Sequence, residues 1–236
     1  MEKSKLQSFI NRYYLAGNCE AVKLKENETG IGCELIDIDQ TVVGKIQWKT
    51  LPFMKGEIGI NHTGALIKML SAVNDNIEID VKSASGKNYA MQINEGNTKL
   101  TFMLADTSVI PSVPTINAEP DYLIQIPVND EFITKFIKAK NALPDAKNFA
   151  IQIKGGIISF IINYTTVNAD NITFEVGTTT VADIEPICFS ADKLKEVLVS
   201  NKGDVGQLHV STDGLARIDF TGPDFDSSYW LVMLQN

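Results

Sequence analysis

The stretch EIGINHTGALIKMLSAVNDNIEIDV, residues 57–81, contains the repeating structural element of this chain. Its first four residues, Glu57–Ile60, form a short strand-like segment, and Asn61 is a suitable helix N-cap. Residues 61–73 then carry apolar side chains at helical spacing, and Asn76–Val81 alternates apolar with polar residues. A period of 3.6 predicts a helix, and a period of two predicts a strand with one buried face. The predicted order is therefore strand, helix, strand.

The same order recurs along the whole chain. Four windows have the helical period, three of them follow a short strand, and each is followed by about three alternating segments separated by turn residues. Such a repeat indicates the architecture more strongly than any single motif does. The sequence therefore predicts an α+β fold built from four strand–helix–three-strand units. The helical windows are residues 3–16, 61–73, 129–141 and 190–202.

A proline-bearing segment separates the second unit from the third. Residues 105–121, ADTSVIPSVPTINAEPD, contain three of the eight prolines and no lysine or arginine. Proline removes backbone donors and keeps a chain extended, so this segment is predicted to be a stiff interdomain linker. It divides the chain into two similar domains, 1–104 and 122–236, with two units each.

The sequence offers little that would support catalysis or a cofactor. It contains no GxxxxGK[ST] and no GxGxxG motif, and its two histidines and three scattered cysteines do not suit a zinc site. Cys188 would need a neighbouring base to act as a nucleophile. Asp219, Asp224 and Asp226 are able in principle to bind a hard cation, but solvated carboxylates in a turn are the simpler interpretation. We predict no enzyme, no cofactor and no metal, with a hydrolase using Cys188 or these aspartates as a minor alternative.

Hydropathy gives an expectation about location. No apolar run approaches the roughly 20 residues that a membrane span needs, and the first residues lack the apolar core of a signal peptide. The protein is therefore expected in the cytoplasm, or in the host-cell cytoplasm if it is viral, without membrane contact. The cysteines are then expected to be buried and reduced.

The distribution of charge is more informative than its total. The chain holds 21 basic and 29 acidic residues, a net charge of −8, whereas a non-specific DNA-coating protein is expected to be basic. The helical windows are nevertheless net positive and the remainder is net negative. Lys5, Ser8 and Arg12 share one polar helix face, and so do Lys135 and Lys138. Helices facing one aqueous space are therefore predicted to attract phosphate, because the local field governs such binding.

At this point the whole chain resembles the DNA sliding clamps, the processivity factors of replicative polymerases. The two-domain form is similar to the clamps of T-even-type bacteriophages and to the proliferating-cell clamps of eukaryotes and archaea. The resemblance rests on the four repeated units, the proline-bearing linker, residues 64–79 (GALIKMLSAVNDNIEI) and the final strand Tyr229–Leu234. It implies a DNA-clamp fold, a ring of three copies, and duplex DNA contacted without sequence preference. It also implies the replicative DNA polymerase and a clamp-loader ATPase as partners.

The resemblance assigns three groups of site residues. The DNA-facing candidates are Lys5, Arg12, Lys68, Lys135, Lys138, Lys193 and Lys195. The subunit interface is expected where the strand Thr98–Leu104 of one copy pairs with Asn171–Val176 of the next, and its residues are Lys99, Thr101, Phe102, Ile172 and Phe174. A partner-peptide pocket under the linker is expected at Ile36, Val43, Val109, Ile110, Val113 and Trp230. The alternative function is a non-enzymatic structural or assembly protein built from repeated α+β units.

Overall fold

The computed structural model describes residues 1–49, 53–116 and 118–235. Within these ranges, four α-helices begin close to the predicted starts and follow the predicted order. Two of them have the expected side-chain caps: Asn129 accepts a hydrogen bond from the Phe132 amide at 2.9 Å, and Ser190 accepts one from the Lys193 amide at 3.4 Å. The helices are α1 (Lys3–Tyr14), α2 (Thr63–Leu70), α3 (Asp130–Ala142) and α4 (Ala191–Ser200). None of them has the length and apolarity of a membrane-spanning segment within the described residues.

Three strands follow each helix, and one further strand leads each of α2, α3 and α4, so the prediction of an α+β fold from strand–helix–three-strand units is confirmed. In the first half of the chain the strands are β1 (Val22–Asn27), β2 (Gly30–Ile36), β3 (Val42–Trp48), β4 (Glu57–Ile60), β5 (Glu78–Ala84), β6 (Lys87–Glu95) and β7 (Thr98–Met103). In the second half they are β8 (Ile124–Val128), β9 (Asn148–Lys154), β10 (Ile157–Ile162), β11 (Ile172–Thr178), β12 (Ile184–Ser190), β13 (Val205–Val210), β14 (Leu215–Thr221) and β15 (Phe225–Val232).

The chain divides into two compact units. The first unit is Met1–Pro114 together with Pro223–Ser227, and the second is Thr115–Gly222 together with Ser228–Asn236. The division after Pro114 lies inside the segment interpreted as a linker, which also contains a short 3-10 turn at Thr107–Val109. The last strand, β15, contributes its first residues to the first unit and its remaining residues to the second.

In the second unit the two repeats exchange their leading strands, and in the first unit the second repeat supplies its leading strand to the first. In the second unit, β12 precedes α4 but pairs with β9, which follows α3. Conversely, β8 precedes α3 but pairs with β13, which follows α4. In the first unit β4 precedes α2 and pairs with β1. Neither repeat can complete its sheet alone, so this exchange holds the two repeats of a unit together.

A helix pair packs on the strands of each unit and buries an aromatic core. In the first unit Phe9 of α1 lies 5.1 Å from Trp48 and 6.3 Å from Phe225, between ring centroids. In the second unit six phenylalanine rings from α3 and the surrounding strands form one connected network of ring contacts. These are Phe132, Phe136, Phe149, Phe160, Phe174 and Phe189.

Candidate functional site

The basic residues predicted on the helices of the first unit differ in their availability. Arg12 is 4% exposed; its Nη1 donates to the Ser8 carbonyl at 3.1 Å and to the Ser8 hydroxyl at 2.8 Å. Its guanidinium carbon also lies 4.1 Å from the centroid of the Phe225 ring. Lys5 Nζ donates to Asp224 Oδ1 at 3.0 Å, and this hydrogen bond raises the pKa of Lys5. Lys68 lies exposed in the last turn of α2.

A similar division holds on the helices of the second unit. Lys138 is exposed and Lys195 is half-buried, whereas Lys193 is only 8% exposed. Lys135 is exposed, but its Nζ lies 3.4 Å from the carbonyl oxygen of Glu175 and 5.2 Å from the ring centroid of Phe174. Position on a polar helix face therefore does not by itself make a lysine available to an outside phosphate.

The aspartates weighed as a cation site in the sequence have cationic partners in the structure. Asp224 pairs with Lys5 at 3.0 Å, and Asp226 with Lys49 at 2.7 Å. Asp219 lies 3.0 Å from the Nε atom of Arg217, and it also accepts a hydrogen bond from the Ser228 hydroxyl. Across the three described ranges, no group of three His, Cys, Asp or Glu side chains is arranged to share a metal ion.

Burial raises the thiol pKa of Cys19, Cys33 and Cys188. For Cys19 the pKa rises to about 11. A thiolate is the reactive form of cysteine, so these three thiols are held in their unreactive form near neutral pH.

Each unit has a strand at the edge of a sheet where the interface was predicted. The first unit's three-stranded sheet has the order β5-β6-β7, and the second unit's four-stranded sheet has the order β11-β10-β9-β12. On β7, Lys99 and Thr101 are exposed while Phe102 is buried. On β11, Ile172 is half-buried and Phe174 is buried. Both strands thus keep apolar side chains in their own unit and leave one edge of the backbone open among the described residues.

A groove of about 560 Å³ lies beneath the linker in the first unit. Its walls are the segment 18–21, the β2–β3 hairpin around Ile36 and Ile38, and the linker prolines Pro111 and Pro114. Ile38 at the hairpin tip is 84% exposed. Its amide nevertheless donates to the Asn18 carbonyl at 3.2 Å, so the tip is fixed to the wall while its side chain points into solvent.

The predicted pocket residues occupy different positions around this groove. Ile36 lines it, whereas Ile110 is buried and anchors the linker against Gly59 of β4. Val113 is half-buried in the linker and Val109 is exposed. The two remaining members are buried elsewhere: Val43 in β3, and Trp230 in the second unit.

Acidic residues border the groove, and no lysine, arginine or histidine of the described residues lines it. The Asp37 carboxylate accepts hydrogen bonds from the amides of Thr41 and Val42, both at 2.7 Å, and so fixes the hairpin. The Glu20 carboxylate accepts one from the Gly64 amide at 3.0 Å, at the start of α2. Rigid walls, an apolar tip and acidic borders suit an apolar peptide segment.

Comparison with known proteins finds the same architecture in solved clamp structures. No protein-family model and no curated protein matches the chain. The PCNA of A. fulgidus superposes with a TM-score of 0.76 at 17% identity, over 100% of this chain and 97% of that one. The chain has the sliding-clamp fold. The PCNA of Entamoeba histolytica agrees with a TM-score of 0.74 at 15% identity, over 100% and 97% of the two chains.

A third clamp structure contains two different chains in one complex. It is the PCNA2–PCNA3 complex of Sulfolobus tokodaii, with a TM-score of 0.75 at 12% identity, over 99% of this chain and 97% of that one. The A. fulgidus structure also contains the C-terminal region of FEN-1, bound to that PCNA. At these identities the likeness concerns the fold.

Ile38 and Glu20 are among the groove residues that were not in the predicted set. Ile38 stands between Asp37 and Asp39 in a turn, and an isolated apolar residue in a polar turn is the signal that identifies it. Glu20 gave no such signal, because its role at the start of α2 depends on a contact across 44 positions of the chain.

Proposed function

We propose that the protein is a sliding clamp: three copies form a ring that encircles duplex DNA and tethers the replicative DNA polymerase. The observation that carries this proposal is the agreement with clamp structures over the whole length of the chain. In this role the protein is a topological binder and not an enzyme. A clamp-loader ATPase is the expected partner for opening the ring. A similarity to the T-even-type phage clamps within the clamp fold is part of the same proposal.

Ring closure is proposed to occur through strand pairing between β7 of one copy and β11 of the next. Exposed strand edges tend to pair with another chain unless they are blocked. The two edges are different surfaces, so the contact is head-to-tail and closes only after a fixed number of copies. The interface residues would be Lys99, Thr101 and Phe102 on one side, and Ile172 and Phe174 on the other.

The experiment for ring closure is Thr101→Pro, which removes a backbone donor from β7. We expect the wild-type protein to sediment near three times 25.9 kDa and the variant to sediment as a monomer with unchanged circular dichroism. Thr166→Pro, in the exposed loop between β10 and β11, is the matched control and should remain trimeric. A wild-type protein that stays monomeric at high concentration would favour the alternative, a structural or assembly protein.

DNA contact is proposed to involve the exposed or half-exposed lysines of the helices, namely Lys5, Lys68, Lys135, Lys138 and Lys195. Arg12 and Lys193 belong to the same predicted set, and their burial indicates that they stabilise the helix packing first. Contacts of this kind go to the phosphates, so affinity should depend on salt and not on base sequence.

The groove beneath the linker is proposed to bind the polymerase through a short apolar peptide. Ile38 is the exposed contact residue, so Ile38→Ser should abolish binding of polymerase-derived C-terminal peptides without changing the fold. Val205→Ser is the matched control because Val205 is similarly exposed, at 78%, but lies in the second unit. If both variants bind the peptide equally well, the docking site lies elsewhere on the protein.

A further inference from the structure

One sheet edge differs between the two units, and it is not the edge assigned to ring closure. In the second unit β13, the first strand after the second helix of the unit, pairs with β14 on one side and with the leading strand β8 on the other. In the first unit the corresponding strand, β5, pairs with β6. In the described structure, the opposite edge has backbone partners only just before β5 begins. There Glu2 forms an isolated bridge with Asn76, and Met1 exchanges hydrogen bonds with Ile77. The segment Glu78–Ala84 is therefore an open edge.

Burial differs in the same way between these two strands. On β13, the side chains of Leu208 and Val210 are buried. On β5, Ile79 and Val81 are only half-buried. Strand β8 covers the edge of β13 by running antiparallel to it, with Ile126 opposite Leu208. The second unit thus indicates what fits at this position of the fold: one antiparallel strand.

The sequence of β5 identifies a suitable strand, because EIDVKSA is complementary to itself. In an antiparallel pair of two such strands centred on Val81, Asp80 of each copy lies opposite Lys82 of the other. Opposite charges in directly facing positions stabilise a strand pair, and like charges destabilise it. Centring the pair on Asp80 or on Lys82 would instead place two like charges opposite each other. Only the register centred on Val81 is favourable at all three positions.

Both charged side chains of this register are accessible. Lys82 and Asp80 are 40% and 56% exposed, and in the single chain they form an ion pair with each other along the strand. Association would exchange the two pairs within the chains, one in each copy, for two pairs between the copies, so neither charge loses its partner. The ladder with β6 shifts register after Lys82, and a bulge usually shortens an edge available for pairing. The contact is therefore small and correspondingly weak.

We propose that two copies of this protein associate through antiparallel pairing of their β5 edges about a twofold axis, with Val81 facing Val81 and two Asp80–Lys82 ion pairs. This contact uses neither β7 nor β11, so it is independent of the proposed ring and adds one association step to whatever assembly those strands form. A twofold contact of this type is self-limiting, because both copies use the same edge.

The test is a charge-swap experiment read out as mass by sedimentation equilibrium, up to about 1 mM protein. The wild-type mass should rise towards twice its low-concentration value. Asp80→Lys and Lys82→Asp each place like charges opposite each other and should weaken this step about tenfold or more. An equimolar mixture of the two variants should restore it, since each lysine then faces an aspartate. The double variant D80K/K82D should also restore it.

Matched controls are Asp213→Lys and Lys154→Asp, which reverse exposed charges in the second unit and should leave the association unchanged. The restoration in the mixture is decisive, because an ion pair within one strand cannot be repaired by another molecule. The proposal is overturned if the wild-type mass does not rise, if the single variants associate as the wild type does, or if their mixture does not associate. A monomer has one β5 edge and should double in mass, whereas a ring of three copies has three such edges and should at least double in mass.

Discussion

The two units have the same repeat plan but complete their cores differently. The six-phenylalanine core of the second unit comes entirely from residues 132–189. The core of the first unit includes Phe225, which is more than 200 positions from Phe9 along the chain and stacks against it. Asp224 and Asp226 of the same segment pair with Lys5 and Lys49. The core of the first unit is therefore completed by the late segment Pro223–Ser227.

This difference explains why one predicted DNA-facing residue is buried. The sequence places Arg12 on the polar face of α1. In the fold, Phe225 packs beside this residue, and the guanidinium lies over the Phe225 ring. A cation over an aromatic face is stabilised by the ring quadrupole. The charge of a helix face thus depends on what the fold packs against it as well as on the helix itself.

The largest expected effect concerns the self-contained core. Phe160→Ala removes a ring that contacts Phe132, Phe149 and Phe174, and should lower the free energy of unfolding by about 3–5 kcal/mol. Amide exchange should accelerate in β9 to β11. The matched variant Phe225→Ala should instead accelerate exchange in α1 and β3, which can be measured by mass spectrometry. Equal acceleration in both units for both variants would contradict the separation of the two cores.

A smaller effect is expected at a position where the units differ by one side chain. The carbonyl oxygen of Gly59 in β4 accepts a hydrogen bond from the Ala105 amide at 2.9 Å. The carbonyl oxygen of Cys188 in β12 accepts one from the Leu234 amide at 2.8 Å. A Cβ atom on Gly59 would lie 2.7 Å from the Ala105 carbonyl oxygen and 3.2 Å from Ile110 Cγ1. Gly59→Ala should therefore cost about 1–3 kcal/mol in thermal or denaturant unfolding, and displace the linker.

The control for this prediction is Gly177→Ala on β11. A Cβ atom there meets no other heavy atom within 4 Å, so the change should be close to neutral. If Gly59→Ala is equally neutral and peptide binding is unchanged, the linker is not held by its contact with β4.

The basic residues provide a third comparison, between a buried and an exposed cation. Arg12→Ala should reduce stability by about 1–2 kcal/mol, mainly through the lost contact with Phe225, and should leave the salt dependence of DNA binding unchanged. Lys138→Ala should leave stability unchanged and reduce the slope of log affinity against log salt by about 0.9. Titrations of duplex DNA at several salt concentrations measure both slopes. If Arg12→Ala reduces the slope and Lys138→Ala does not, then Arg12 contacts DNA and Lys138 does not.

The smallest effect is a pH dependence in the first unit. Burial raises the pKa of Cys19 to about 11, whereas an unfolded thiol titrates near about 8.5. Because the folded pKa is the higher one, the stability contributed by the neutral thiol is complete below about pH 8.5 and is lost as the pH rises towards 11. Cys19→Ala should therefore lose less stability than the wild type between pH 8 and about pH 10. Identical pH profiles would contradict the burial of this thiol.

The local elements were predictable from the sequence because their signals are local. Apolar spacing and the caps Asn129 and Ser190 indicated the helices, and alternation indicated the strands. The exchange of leading strands was not predictable, since periodicity does not state which strand pairs with which. The position of Phe225 in the first unit, and with it the burial of Arg12, depends on the same long-range pairing.

The candidate site was predictable to a smaller extent. Ile36 was placed beside the linker by the resemblance and does line the groove. Ile110 was expected in the pocket, but Gly59 has no side chain and leaves room for Ile110 to anchor the linker instead. An apolar residue in an extended segment has the same sequence signal whether it binds a partner or packs on its own sheet.

Retention on DNA of different topology tests the central claim most directly. The protein would be incubated with nicked circular duplex at low salt, then transferred to about 1 M salt, where the Debye length of about 3 Å suppresses electrostatic binding. A ring around the DNA should remain bound to the circle and should be released when a restriction enzyme cuts it. Equal retention on circular and linear DNA would contradict the proposal that this protein encircles DNA.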